Sequence, residues 1–176
     1  MHSGHPHPTA TLVGAIIALA AILAATGAEA QNAKKSTAPA SDMITGSNFD
    51  GIIAALTNNG FSAMLTTDKG GDPLIQSTDP NAPFSISFYG CTNGKNCEYI
   101  QFVEGWHLPN GTTPDVIEKW NEKYVWGRAY IDSENDPWID MAVNLKGGVT
   151  AENFDDTVSW WWSLTRDFES NIGFNK

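Results

Sequence analysis

Residues 84–103 read FSISFYGCTNGKNCEYIQFV, and this stretch decides the fold. Apolar and polar side chains alternate on both sides of two cysteines, Cys91 and Cys97, which predicts two half-buried strands. Between the cysteines lies Asn93-Gly94, a dipeptide typical of a tight turn between antiparallel strands. The stretch therefore predicts a β-hairpin with the cysteines at its closed end.

The cysteines also predict the register of this hairpin. If Cys91 faces Cys97, apolar residues meet on one face and aromatic residues meet on the other, as expected for a correct pairing. The cross-strand pairs are then Phe88 with Ile100, Ile86 with Phe102, and Tyr89 with Tyr99.

An uncharged apolar run, Leu12 to Ala28, lies near the start of the chain and leads into Ala28-Glu29-Ala30. This tripeptide has the small-x-small form of a signal-peptidase site. We expect residues 1–30 to be a Sec-type signal peptide cleaved after Ala30, which makes the protein periplasmic or secreted. The alternative is an uncleaved membrane anchor, because the first eleven residues contain no Lys or Arg to mark a signal peptide. Only that alternative predicts contact with a membrane.

Export favours a disulfide between the two cysteines, because the compartments outside the cytoplasm are oxidising. A bond between Cys91 and Cys97 closes a short loop, so it should add roughly 2 kcal/mol to the stability. The sequence lacks a CxxC redox motif. We therefore interpret the pair as structural.

Beyond the signal peptide, residues 31–44 are polar and small, which predicts a flexible leader, and residues 45–176 are expected to form a single domain. Periodicity within that domain predicts the order α-β-β-β-β-α-β-β-α. This is an α+β fold with helices packed on an antiparallel sheet.

The last helix, expected from about Thr150 to Asn171, has an apolar surface that is wider than one sheet can cover. Trp161 lies at its centre, whereas Trp160 and Trp162 lie at its two margins. We single out Trp160 and Trp162 as candidates for an interface or a ligand surface, although most of the seven tryptophans are expected to serve the core.

Four motifs in order resemble the YbjN-domain family, described in bacteria as sensory transduction regulators. They are FYGC at 88–91, CEYIQF at 97–102, Trp120-Asn121, and GRAYID at 127–132. The resemblance implies a fold similar to that of type III secretion chaperones. It also implies a protein-interaction or regulatory module, and it carries no catalytic residue onto this sequence.

The composition and the motifs argue against several other functions. The formal net charge is −10, which repels nucleic acid. The acidic stretch at 132–136 lacks the Gly and the closing Glu of an EF-hand, so a turn is expected there. We interpret His107 as a structural loop residue, and we predict no catalytic residue, no metal and no cofactor.

We therefore predict an exported, non-enzymatic module that recognises a protein or peptide, with a homodimer as one form of that recognition. The alternative is a cell-envelope carbohydrate-binding module, in which surface tryptophans stack on sugar rings.

Overall fold

The structure is a computed structural model that describes residues 43–174. The expected signal peptide and residues 31–42 of the expected leader lie outside the described residues. Within this range the elements are β1 (Met43–Ile44), α1 (Phe49–Asn58), β2 (Ala63–Thr67), β3 (Pro73–Ser77), β4 (Ser85–Tyr89), β5 (Tyr99–Gly105), α2 (Pro114–Lys123), β6 (Arg128–Ile131), β7 (Pro137–Asn144), β8 (Val149–Thr150) and α3 (Ala151–Asn171).

Six of the strands form one antiparallel sheet in the order β2-β3-β4-β5-β7-β6, and β1 pairs with β8 in a second, two-stranded sheet. The predicted α+β class, with helices on an antiparallel sheet, is confirmed. The predicted element order lacks β1 and β8, each of which has only two residues. Met43 and Ile44, which the sequence analysis placed in the leader, form β1.

The β4–β5 hairpin has the predicted register, with Tyr89 opposite Tyr99. Asn93 and Gly94 both have positive φ, at 52° and 67°, as a two-residue hairpin turn of the favoured twist requires. Cys91 and Cys97 form a disulfide. One detail was not predicted: Asn96 is an extra residue with φ of 50°, because the turn closes with Thr92 opposite Lys95.

Each helix begins beside a residue that favours helix initiation, and α3 begins after Thr150 as predicted. The side chain of Asn48 accepts a hydrogen bond from the backbone N–H of Gly51 at the start of α1. Pro114 opens α2, and the hydroxyl of Thr150 accepts from the N–H of Asn153 at the start of α3. The caps of α1 and α3 each satisfy an N–H group that the helix itself leaves without a partner, whereas Pro114 has no N–H group to satisfy.

The core lies between the helices and one face of the six-stranded sheet. Trp161 of α3 is fully buried and contacts the rings of Phe84 and Phe102 on the sheet. On α2, Trp120 packs edge-on against Phe168 of α3, and Phe49 of α1 packs against Phe88. The opposite face of the sheet therefore lies away from the three helices.

Candidate interaction surfaces

The structure separates Trp160 and Trp162, the two residues that the sequence singles out. Both side chains are exposed, by 43% and 38%, whereas Trp161 between them is buried. Successive helical residues are about 100° apart, so the two margins of α3 face different neighbours. They belong to two separate surfaces.

Trp160 lies against Trp126, which belongs to the loop between α2 and β6. Their ring centroids are 4.5 Å apart, and Trp126 is 57% exposed. Its neighbour Val125 is 80% exposed. We call Val125, Trp126 and Trp160 the tryptophan patch.

The backbone beside the patch is fixed by close packing at Gly127. A Cβ atom at Gly127 would collide with the side chain of Leu164, which is buried on α3. Only glycine lets the α2–β6 loop approach the helix this closely, and that approach brings Trp126 to Trp160. Trp126 was not predicted, because no periodic pattern marks a loop residue. The GRAYID motif that starts at Gly127 was the available signal.

Acidic side chains lie beside the patch. Asp156 and Asp167 stand four residues before and seven residues after Trp160, so they share its side of α3. The hydroxyl of Tyr124 donates to Asp167 over 3.1 Å, and it accepts from Lys123 over 3.1 Å. These side chains place two carboxylates and one ammonium group near Trp160, and the ion pair of Arg128 and Asp140 lines a pocket together with Val125 and Trp126.

Trp162, on the other margin of α3, is part of a packed cluster. Its ring meets the ring of Phe61 at 5.3 Å between centroids, and the guanidinium of Arg166 lies 4.4 Å from its centroid. Arg166 also pairs with the buried carboxylate of Glu169. Trp162 is therefore held more firmly than Trp160, and less of it is exposed.

A third aromatic surface lies on the sheet face away from the helices. Trp138 is opposite Gly105 in the β5–β7 register, and a Cβ there would lie 2.5 Å from the indole ring. The indole Nε1 donates to Asp132 over 2.9 Å, and Tyr130 stacks on the ring at 15°. The indole ring thus lies across the glycine in a fixed orientation.

The hydrogen bond from Trp138 is the main cause that lowers the pKa of Asp132. Burial is the main cause that raises the pKa of Tyr130, and the charge of Asp140 adds to it. Asp140 is itself buried and accepts from Nε of Arg128 over 3.2 Å. These contacts connect β6 and β7 on the sheet face that lies away from the helices.

The acidic stretch at 132–136 forms a turn, as expected, but its acids are not all solvated. Asp136 is buried; its carboxylate accepts from the backbone N–H of Leu108 over 2.9 Å and contacts Nδ1 of His107 at 2.8 Å. The Leu108 bond, followed by that of His107, lowers the pKa of Asp136. The hydrogen bond to Asp136 raises the pKa of His107 above its ordinary value of 6.5. His107 thus holds the β5–α2 loop against the β6–β7 turn.

The described residues, 43–174, contain neither a metal-binding cluster nor a membrane-spanning helix. No three His, Cys, Asp or Glu side chains in this range form a cluster that could hold a metal ion. Over the same range, every helix is too short or too polar to span a bilayer.

These features define an α+β protein whose helices cover one sheet face, with exposed tryptophans at the margins of α3 and the half-buried rings of Trp138 and Tyr130 on the opposite sheet face. The chain belongs to the YbjN family: residues 48–174 match the family described as "Putative bacterial sensory transduction regulator". No curated protein and no solved structure matches the chain.

Proposed function

We propose that the protein is an exported, non-enzymatic regulatory module that binds a protein partner through the tryptophan patch and associates with a second copy of itself. The observation that carries the partner site is the contact between Trp126 and Trp160, two large rings that remain half exposed. Exposed aromatic side chains are enriched in binding hot spots and are uncommon as a contiguous group on a surface without a partner.

The charge of the chain narrows the kind of partner. A formal net charge of −10 opposes acidic partners, and Asp156 and Asp167 lie on the same helix side as Trp160. A partner with an apolar surface and flanking Lys or Arg fits this region, because cations also bind favourably to tryptophan faces. The regulatory description of the family supports this role.

A photo-crosslinking amino acid at position 126 tests the partner site directly. In cells, we expect one envelope protein to crosslink at position 126, and none at Tyr99 on the far hairpin, which serves as a matched exposed aromatic control. The identified partner should then bind the double variant Trp126→Ser, Trp160→Ser at least tenfold more weakly than the wild type. Equal affinity for the two proteins contradicts the patch as the binding site.

Export is part of this proposal. The apolar run, the Ala28-Glu29-Ala30 site and the paired cysteines support it together. Cell fractionation followed by N-terminal sequencing should recover a chain that begins at Gln31. An intact N-terminus on a membrane-bound chain would instead favour the anchor.

A second candidate function, carbohydrate binding, is favoured by one observation. Trp138 presents a ring whose orientation is fixed by Gly105 and Asp132, as in platforms that stack on sugars. Peptidoglycan fragments and polysaccharides should then change the NMR signals of Trp138 and leave those of Trp126 unchanged. If no glycan shifts the indole signal of Trp138, this candidate fails.

A further inference from the structure

The two edge strands of the six-stranded sheet, β6 and β2, differ in whether their outward backbone groups have hydrogen-bond partners. At the β6 edge, the side chain of Asn121 accepts from the N–H of Ala129 over 2.9 Å and donates to its C=O over 3.1 Å. This amide from α2 takes both backbone groups that Ala129 would offer to an added strand. The β6 edge is therefore closed at its centre by a side chain of the same domain.

The β2 edge has the opposite character. The N–H of Thr78 donates to the C=O of Ser62, so Ser62 bonds inward to the strand beside it. Hydrogen-bonded and outward positions alternate along an antiparallel strand, which turns the backbone groups of Ala63, Leu65 and Thr67 outward. Among residues 43–174, none of these outward groups has a hydrogen-bond partner.

β2 lacks the charge, proline and bulge that commonly prevent an edge strand from pairing with another chain. Its sequence, AMLTT, contains no charge and no proline, and its register with β3 is continuous over all five pairs, without a bulge. Met64 and Leu65 are exposed by 52% and 42%. An edge with free backbone groups and exposed apolar side chains is a template for another strand.

We propose that β2 pairs antiparallel with β2 of a second copy, around a two-fold axis at Leu65. This inference rests on the homodimer of the proposed function and names its surface. The outward residues have odd numbers, so an axis at Leu65 places Ala63 opposite Thr67 of the second copy with all backbone groups bonded. Leu65 then meets its own equivalent on one face, and Met64 meets Thr66 on the other.

Local charge opposes a second copy less at this strand than elsewhere on the surface. Two copies with a formal net charge of −10 repel one another over most of their surfaces, whereas β2 is uncharged along its whole length. In the proposed register Asp68 lies opposite Ser62, so no like charges face each other. Five paired residues bury little area, below about 1,200 Å² in total, which predicts a weak and reversible dimer.

Sedimentation of the purified mature chain, which begins at Gln31 under the proposed cleavage, tests the proposal from micromolar to millimolar concentration. We expect a reversible monomer–dimer equilibrium in the wild type. The variant Leu65→Lys brings two ammonium groups together at the axis and should raise the dissociation constant at least tenfold. Leu65→Ile is the matched control, because it keeps an apolar strand former at the same position and should dimerise like the wild type.

Amide hydrogen exchange on the wild type keeps the test decisive if Leu65→Lys fails to fold. The amides of Leu65 and Thr67 should exchange fast at low concentration and slowly at high concentration. The amide of Met64, which is bonded to β3, should be slow at both. Protection of Leu65 and Thr67 at every concentration would mean that another segment of the same chain covers the edge, and this overturns the proposal.

Two other outcomes separate this inference from the proposed function. A dimer that persists in Leu65→Lys and is lost in the Trp126→Ser, Trp160→Ser variant overturns the β2 interface and leaves the homodimer in place. A protein that stays monomeric at millimolar concentration overturns both the β2 interface and the homodimer. It leaves partner binding at the tryptophan patch to the crosslinking test.

Discussion

Asn121 is a single side chain with two roles, because it anchors α2 to β6 and it closes a sheet edge. Ala129, its partner, is buried to 3% exposure, so water has little access to the backbone groups if the amide is removed. A buried backbone group that loses its partner costs about 1–3 kcal/mol. The Trp120-Asn121 motif thus combines a core residue with an edge residue.

We expect Asn121→Ala to lower the free energy of unfolding by about 1–3 kcal/mol, because the N–H and C=O of Ala129 lose their partner. Urea denaturation of the wild type and the variant measures this difference. Asn153→Ala, at an exposed position of α3, is the control and should change stability by no more than about 0.5 kcal/mol. Equal stability of the two variants would show that Asn121 does not hold the edge.

His107 and Asp136 make the stability depend on pH. The folded pKa of His107 is raised above 6.5, so protonation favours the folded state. This contribution is fully present below pH 6.5 and is lost as the pH rises through the higher folded pKa. The lowered pKa of Asp136 acts in the other direction at low pH: its contribution is present above the ordinary aspartate value of 3.8 and is lost as the pH falls through the folded pKa.

An NMR titration of the His107 ring tests this pair. The wild-type ring should titrate above 6.5, and in Asp136→Asn its pKa should move down towards that value, because the carboxylate is gone. A His107 pKa that is identical in both proteins would contradict the assigned pair.

Residue patterns predicted some of these features and not others. The centre of the α3 stripe at Trp161 and its margins at Trp160 and Trp162 follow from helical periodicity, and the exposures agree. The contact between Trp126 and Trp160 joins residues 34 positions apart, and it depends on the packing of Gly127 that brings the two elements together. The periodicity of residues along the chain does not predict such a contact between distant segments.

At the scale of elements, the β4–β5 hairpin is specified twice, by its turn residues and by its disulfide. Asn93 and Gly94 have the positive φ angles of the turn, and an Asn-Gly dipeptide favours this turn by its own backbone preferences. The loop between the cysteines is also tied to the start of the domain, since the hydroxyl of Ser47 and the backbone of Asn96 are bonded at 2.9 Å. Loss of the disulfide should therefore weaken the loop more than the strands.

We expect Cys91→Ser, Cys97→Ser to lose about 2 kcal/mol of stability and to keep the hairpin register. Thermal or urea unfolding gives the first quantity, and nuclear Overhauser contacts between Tyr89 and Tyr99 report the second. The oxidised wild type with added reductant should reproduce the variant. A change of register in the variant would show that the disulfide, and not the turn, sets the pairing.

The local elements followed from sequence, whereas their arrangement did not. Hairpins and helix caps depend on near neighbours, so the register of β4 with β5 and the start of α3 were both predictable. The insertion of β7 between β5 and β6 is a pairing between distant segments, and alternation of side chains does not identify which strand a partner will be. β1 and β8 have two residues each, which is too short for an alternation of apolar and polar residues to be recognised.

At the scale of the whole molecule, acidity should give the two proposed interfaces opposite responses to salt. Two copies with a net charge of −10 repel each other, so salt that screens this repulsion should strengthen the β2 dimer. A basic partner at the tryptophan patch is attracted by the same charge, so its binding should weaken. Sedimentation measures the dissociation constant of the dimer at low and high ionic strength, and a titration measures that of the partner. If salt shifts both constants in the same direction, one of the two proposed interfaces is wrong.

The closed β6 edge also limits how far such an assembly could grow. A sheet that pairs at both edges can add copies without end and extend into a fibre. A sheet with one blocked edge can pair with only one other copy, so no third copy can join after two copies have paired. Asn121 would then limit the assembly to two copies, and the protein could keep β2 free of charge without polymerising.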